Sequence, residues 1–485
     1  MPSLPFTLEQ GLAVAGLLIL GGVLASKASA KLGVPALLLF LGMGMLAGGD
    51  GPGGIHFDNA PLAGAVGTIA LCIILFSGGL ETDWKSVRPI LAHGLSLATL
   101  GVVITAALVG FSAVYLLNIS PVEGLLIGSI VASTDAAAVF GVLRARSIRI
   151  KGRLAPLLEL ESGLNDPMAV FLTIALTEMM LQPETNILAL VPLFVQQMSI
   201  GAILGPLVGL AAVWLINRLR LEYVGLYYVA TTALVITSFG LTASIGGSGF
   251  LAVYLTGLTM GRRNFLYKIG LVQFHEGLAW FMQITMFLIF GLQVFPRQLG
   301  EVAAAGVILS GVLILVARPI AVFVSLFGER SLRKRDKLFV SWTGLRGATP
   351  IILATIPMSY GLPEAQTLFH LVFFVVLTSV AIQGTLLGPI AKALDVIDNS
   401  PPNIPLKKVE KNLLEITLAP NSPAVGKQVV ELNLPRSALI VLLVRGDDSY
   451  IPRGSTILQA GDAILLATRK EDQQELRSLF ERKVY

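Results

Sequence analysis

Glu161-Ser162-Gly163-Leu164-Asn165-Asp166-Pro167 interrupts an apolar run over residues 154–180 that reads as a membrane span. A carboxylate near mid-bilayer costs at least about 2.5 kcal/mol, so it is kept where it faces the bundle interior and marks an ion or proton path. Ser162 and Asp166 lie four residues apart, as do Glu161 and Asn165, which puts two polar stripes about 100° apart on one helix. Asp166 sits about twelve residues into the span, roughly 18 Å at 1.5 Å per residue, close to the bilayer centre. Pro167 removes a backbone donor beside it and loosens the helix there. The competing reading is a buried carboxylate tied permanently to a cation.

The composition around this stretch agrees. Hydrophobic residues make up 54% of the 485 residues, charged residues 13%, and the mean hydropathy is +0.78, which excludes a single soluble core. Windows of about 20 residues give thirteen candidate spans: 7–26, 33–49, 61–80, 90–117, 121–142, 154–180, 188–217, 222–240, 247–262, 276–295, 300–327, 338–358 and 364–393. The loops after the odd-numbered spans one to eleven carry nineteen Lys and Arg, from Lys27 to Lys337, and the intervening loops carry one, Arg297. Cytoplasmic loops hold such an excess, so the amino terminus is expected outside and the carboxyl terminus in the cytoplasm. The formal charge of +5 is spent on this orientation, and no nucleic-acid partner is implied. Cys72 is alone, and His56, His93, His275 and His370 lack ligand spacing, so neither a disulfide nor a histidine metal centre is expected.

Two further spans carry polar groups at their middles. In the fifth, Ser133-Thr134-Asp135 implies a break; its exposed amides and carbonyls carry partial charges that Asp135 could neutralise, and Thr134 could offer oxygen to a hard cation. Whether Asp135 ligates an ion or only neutralises helix ends stays open. In the twelfth, Gly344-Leu345-Arg346-Gly347-Ala348-Thr349-Pro350 places a guanidinium near mid-membrane, and Glu161 is the partner expected for Arg346 because that pairing leaves Asp166 free to titrate. Arg318, in the eleventh span, snorkels or joins the same network, and Glu159 reads as a carboxylate near the cytoplasmic edge. Spans 1–6 and 8–13 then form two inverted six-helix units, each broken in its fifth element, with the ion site at the crossing.

Beyond about Pro405 the charge density rises and short alternating runs appear, so a membrane domain over 1–400 is followed by a small soluble α/β domain over 405–485. Its expected elements are strands at Leu414–Leu418, Ala438–Val444 and Ala463–Thr468, a short helix over Val425–Leu432, a turn at Gly446-Asp447-Asp448 and a closing amphipathic helix over Lys470–Phe480. A module of this size gains stability by pairing with a copy of itself.

The Glu161–Asp166, Ser133–Asp135 and Gly344–Ala348 motifs together resemble the monovalent cation:proton antiporter-1 family over nearly all of residues 10–395. The chain is most similar to bacterial NhaP-type potassium/proton antiporters carrying a TrkA-C (RCK carboxy-terminal) lobe. That lobe is resembled by Ser422–Lys427, Ile451–Gly454 and Leu458–Asp462. The resemblance implies an all-α NhaA-like fold with broken crossing helices, a homodimer in the bacterial inner membrane, no cofactor beyond the transported K+ or Na+ and H+, and room for a regulatory ligand on the TrkA-C lobe that no residue identifies. It gives Asp166 the exchange of proton and monovalent cation, with Asn165 beside it as in electroneutral members, and it pairs the positions of Glu161 and Arg346. The expected cation and proton site is therefore Asp166, Asn165, Ser162, Asp135 and Thr134. Ser77 stands before Gly78-Gly79 where many relatives have an acid, which puts a third acidic contributor in doubt. The chain also ends at Tyr485, whereas several relatives extend into a further soluble domain, so regulation residing there is not expected.

The activity expected is electroneutral potassium/proton antiport by alternating access, not an enzymatic reaction. Sodium/proton antiport on the same scaffold is the alternative. A ligand-gated cation channel ranks below both, since no filter of serial carbonyls is visible. An intramembrane aspartyl protease built on Asp135 and Asp166 lacks the Gly-x-Gly-Asp signature.

Overall fold

The computed structural model describes residues 7–32, 35–57, 59–182, 184, 186–398, 413–435, 437–445, 448–468 and 472–480. It divides into two compact units, Met1–Asp398 and Asn399–Tyr485.

The first unit is helical throughout. Its helices are α1 (Leu8–Leu32), α2 (Ala36–Ala47), α3 (Ala60–Glu81), α4 (Trp84–Leu117), α5 (Pro121–Ile130), α6 (Ala136–Ala145), α7 (Leu154–Leu181), α8 (Ile187–Leu219), α9 (Val224–Ser244), α10 (Gly249–Gly261), α11 (Lys268–Leu292), α12 (Leu299–Ser325), α13 (Lys334–Trp342), α14 (Ala348–Ser359) and α15 (Ala365–Ala393). Among the described residues, nine are long and apolar enough to cross a membrane. The shorter α2 and α10, the pair α5/α6 and the pair α13/α14 occupy the other candidate spans, so both expected breaks are present. Helix starts follow local chemistry: Asn59, Ser120 and Ser248 each accept a backbone N–H of the first turn, and Pro61 and Pro121 fill positions that need no donor.

Long helices hold one another by close backbone approach. Gly201, Gly205 and Gly209 on α8 face the carbonyls of Ser248, which caps α10, and of Ala252 and Thr256 within it, and a Cβ at Gly205 would meet Ala252 O at 2.6 Å. Gly44 on α2 and Gly291 on α11 face each other in the same way, as do Gly79 of α3 and the Tyr254 backbone of α10. Small residues permit this approach, which in a bilayer replaces the hydrophobic drive that soluble helices use. Within α4, α12 and α15 the helix loosens into single π-helical turns at Leu97–Gly101, Leu313–Ala317 and Val380–Gly384.

The second unit carries an antiparallel sheet of order β1-β4-β2-β3, from β1 (Leu413–Thr417), β2 (Leu439–Arg445), β3 (Asp448–Tyr450) and β4 (Ala463–Ala467). Leu414, Ile416, Leu443, Ile464 and Leu466 are buried with Leu476 and Phe480 of α16 (Gln473–Phe480). The helix expected over Val425–Leu432 does not form; a 3-10 turn spans Val429–Leu432 instead. Gly426 takes φ +83°, and Gly426 N and Val429 N donate to Leu458 O and Thr456 O at 2.8 and 3.0 Å, so an adjacent segment claims the donors a helix needs. Gly446, Asp447 and Lys470 of the expected turn and closing helix lie outside the described residues.

Candidate functional site

The breaks in spans five and twelve lie against each other. Asp135 N donates to Leu345 O at 2.8 Å, so the two interruptions are joined backbone to backbone. A Cβ at Gly347 would overlap the Asp135 side chain, so the close approach depends on glycine at that position. Asp135 caps the second half-helix α6, its carboxylate accepting from Ala138 N at 3.0 Å. At the other side of the break, Arg346 Nη1 donates to Ala132 O and Ser133 O at 2.6 and 2.7 Å. The carboxylate thus meets the positive amide end of one half-helix and the guanidinium meets the carbonyls following the other.

This changes one expected pairing. Glu161 pairs with Arg318, Oε1 to Nη1 at 2.5 Å with both side chains buried, and not with Arg346. Arg346 uses its Nη1 on the two carbonyls, and its charge reaches Glu161 without direct contact. Arg318 thereby acquires the role the sequence left open, and the absent side chain of Gly344 makes room for its guanidinium. Ser379, which the sequence analysis did not single out, accepts Arg346 N at 3.2 Å and donates to Gln383 Oε1 at 2.6 Å.

Asp166 stands at the crossing, with 5% of its surface exposed. One carboxylate oxygen accepts from the Ser133 hydroxyl and the other from Thr349 Oγ1 at 3.1 Å. Among the described residues no basic side chain pairs with it. Thr349 belongs to the quoted Gly344–Pro350 stretch, but only the folded break shows that it reaches the carboxylate. Beside Asp166, Asn165 Nδ2 donates to Thr134 Oγ1 at 2.6 Å, leaving its buried Oδ1 without a hydrogen-bond partner. Ser162 bridges the fifth-span break, donating to Thr134 O at 3.0 Å and accepting from Ala136 N at 3.1 Å. All five expected site residues are therefore gathered; Ser162 and Asp135 satisfy broken backbone, while Asp166 is held by hydroxyls alone.

A cavity of about 560 Å³ leads to this point. Glu159, Ser162, Gly163 and Asp166 of α7 form one wall, with Glu81 of α3 and Tyr254 of α10 among the others. Arg144, Arg149 and Asp398 also line it, so it extends toward the end of the helices that carries the basic loops. Where an acid is missing at Ser77, that hydroxyl donates to Glu81 Oε1 at 3.1 Å, one turn further along α3.

Two crossed, broken helices with a hydroxyl-held carboxylate at the end of a cavity define a multi-pass membrane exchanger. The chain belongs to the sodium/hydrogen exchanger family, whose transmembrane description matches residues 15–393; the TrkA-C domain description matches residues 413–481. It is 39% identical over 474 residues to the K(+)/H(+) antiporter NhaP of Alkalimonas amylolytica, covering 96% of this chain and 82% of that protein. Identity to the K(+)/H(+) antiporter NhaP2 of Shewanella sp. ANA-3 is also 39%, over 477 residues with the same coverage. The Na(+)/H(+) antiporter ApNhaP of Aphanothece halophytica is 28% identical over 342 residues, covering 67% of this chain and 63% of that protein. Among solved structures, the sodium proton antiporter MjNhaP1 of Methanocaldococcus jannaschii shares the fold, with a TM-score of 0.68 at 24% identity over 78% of this chain and all of that one.

Proposed function

We propose that this protein exchanges potassium for protons, electroneutrally, in the inner membrane of a bacterium. The observation that carries the reading is Asp166, buried at the crossing, reached by the cavity and paired with no basic side chain among the described residues. A desolvated carboxylate needs neutralising by a proton or by a cation, and one group cannot hold both. If only loaded states convert between the two access forms, a gradient of one ion drives the other. Asn165, uncharged beside Asp166, supports one-for-one exchange without net charge movement. Thr134, Ser133 and Thr349 supply the hard oxygen donors that a monovalent cation prefers.

The 39% identity to proteins named as K(+)/H(+) antiporters supports potassium. Sodium is the second reading, favoured by the relative named as a Na(+)/H(+) antiporter. The basic loops support an amino terminus outside and a cytoplasmic carboxyl-terminal lobe, which serves regulation and pairing in a homodimer. The test is dissipation of an imposed pH gradient in proteoliposomes on adding potassium, sodium or lithium, with Asp166→Asn as control. A potassium response lost in the variant is expected. A response to sodium alone would overturn the substrate, and flux driven by potential without proton coupling would overturn antiport.

A further inference from the structure

The main cavity follows one face of α7 and stops halfway along it. Its α7 lining is Ala155, Glu159, Ser162, Gly163 and Asp166, with no residue of α7 beyond Asp166. Steps of three and four residues keep Ala155, Glu159 and Ser162 within about 40° of Asp166 around the helix. The same steps, continued, give Val170, Thr173 and Thr177. The phase holds past Pro167, because Met168, Phe171 and Ala175 cluster with Val102 and Ala106 of α4 on the opposite face. Thr173 and Thr177 are fully enclosed, and neither hydroxyl has a hydrogen-bond partner among the described residues. A threonine inside a helix ordinarily bonds the carbonyl four residues back, as Thr68 and Thr105 do. An enclosed hydroxyl left unbonded is costly, so two of them one turn apart call for a ligand.

The stripe also ends where an exit belongs. Thr177 lies about 16 Å beyond Asp166 at 1.5 Å per residue, which is the half of a bilayer left to cross. Glu178, the next residue, is exposed, so the stripe surfaces at the end of α7 away from the basic loops. We propose that the outer half of the ion path runs over this stripe, with Thr173 and Thr177 as the oxygen donors that pass a cation between Asp166 and the outer surface. The assignment rests on the antiport reading. In the conformation described here the buried, apolar Val170 occupies the step between Asp166 and Thr173 and closes the route. Hydroxyl oxygens suit a hard monovalent cation, and without charge they hold it weakly enough to let it leave.

The test uses the full chain in right-side-out vesicles, in a Cys72→Ala background that removes its free thiol. Thr173→Cys, Thr177→Cys and, on the opposite face, Ala175→Cys are treated with an impermeant cationic methanethiosulfonate added outside. Thr177→Cys should be labelled faster than Thr173→Cys, and Ala175→Cys should resist. Labelling of neither threonine variant, labelling only in inverted vesicles, or equal labelling of Ala175→Cys overturns the path. Thr177→Val keeps the shape and removes the hydroxyl. It should slow exchange about tenfold with thermal stability unchanged or raised, and Thr177→Ser should restore the rate. Full turnover in Thr177→Val, or a slow rate that tracks lost stability, overturns the role of the hydroxyl. The antiport reading fails differently, in a wild type that shows no exchange at all, and the labelling pattern is read independently of that.

Discussion

The crossing at Asp166 and the scaffold around α8, α10 and α3 solve the same problem in opposite ways. In the scaffold, glycines bring helices close enough for carbonyls to meet Cα atoms, and stability comes from dense contact between intact helices. At the crossing, helices are broken, and the freed backbone groups are satisfied by Asp135, Ser162 and Arg346. Dense packing fixes position; polar satisfaction leaves an oxygen-lined space where one carboxylate is held by hydroxyls alone. The lesson is that buried charge is sorted by partner: Glu161 is paired with Arg318, Asp135 and Arg346 are taken up by broken backbone, and Asp166 has no basic partner among the described residues.

The comparison breaks most visibly if the buried pair is split. Glu161→Ala leaves Arg318 uncompensated and should destabilise the folded protein by about 3–5 kcal/mol, read as loss of thermal stability in detergent. Adding Arg318→Ala should recover part of that loss, whereas adding Arg346→Ala should not; the reverse pattern would restore the pairing expected from sequence. In the scaffold, Gly205→Ala forces a methyl against Ala252 O and should cost about 1–3 kcal/mol with cation KM unchanged in the surviving protein. A raised KM there would show that scaffold and crossing are not separable. At the crossing, Thr349→Ala removes one hydroxyl from Asp166 and should weaken cation binding by about 1.5–3 kcal/mol, roughly 10- to 100-fold in KM, with Thr349→Ser restoring it. No change in KM would remove Thr349 from the site.

The smallest effect concerns the soluble lobe. Arg445 donates to both oxygens of buried Asp462 at 2.7 Å and holds its carboxyl below the usual range. That contribution to stability is full above the ordinary Asp value of about 3.9 and is lost as pH falls through the lower folded value. Protection of the β4 amides, taken relative to their intrinsic exchange rate, should therefore be steady near neutrality and fall only in acid. In Arg445→Gln protection should already be lower near neutrality and the acid-side fall from this pair should vanish, and identical profiles would discard the pair as a stabiliser.

Most of this arrangement was legible in the sequence. Hydropathy located the spans, and the polar interruptions at Ser133–Asp135 and Gly344–Pro350 located both breaks, because uncompensated polar groups are rare in such segments. The partner of Glu161 was not legible. Arg318 and Arg346 are both buried guanidiniums within its electrostatic reach, and the choice depends on which one the broken backbone claims first. Thr349 and Ser379 were hidden for a related reason: isolated hydroxyls are common in helices, usually bonding their own backbone as Thr105 does to Gly101 O at 2.7 Å. In the lobe, the helical period over Val425–Leu432 lost to the donors claimed by Thr456 and Leu458.

The central claim is that proton and cation compete for Asp166. It is tested most directly by adding potassium to purified, weakly buffered protein and measuring proton release with a pH indicator, in the wild type and in Asp166→Asn. Close to one proton released per cation bound, at a pH where Asp166 is protonated, with none from the variant, is the predicted result. Cation binding without proton release, or release that persists in Asp166→Asn, would contradict it.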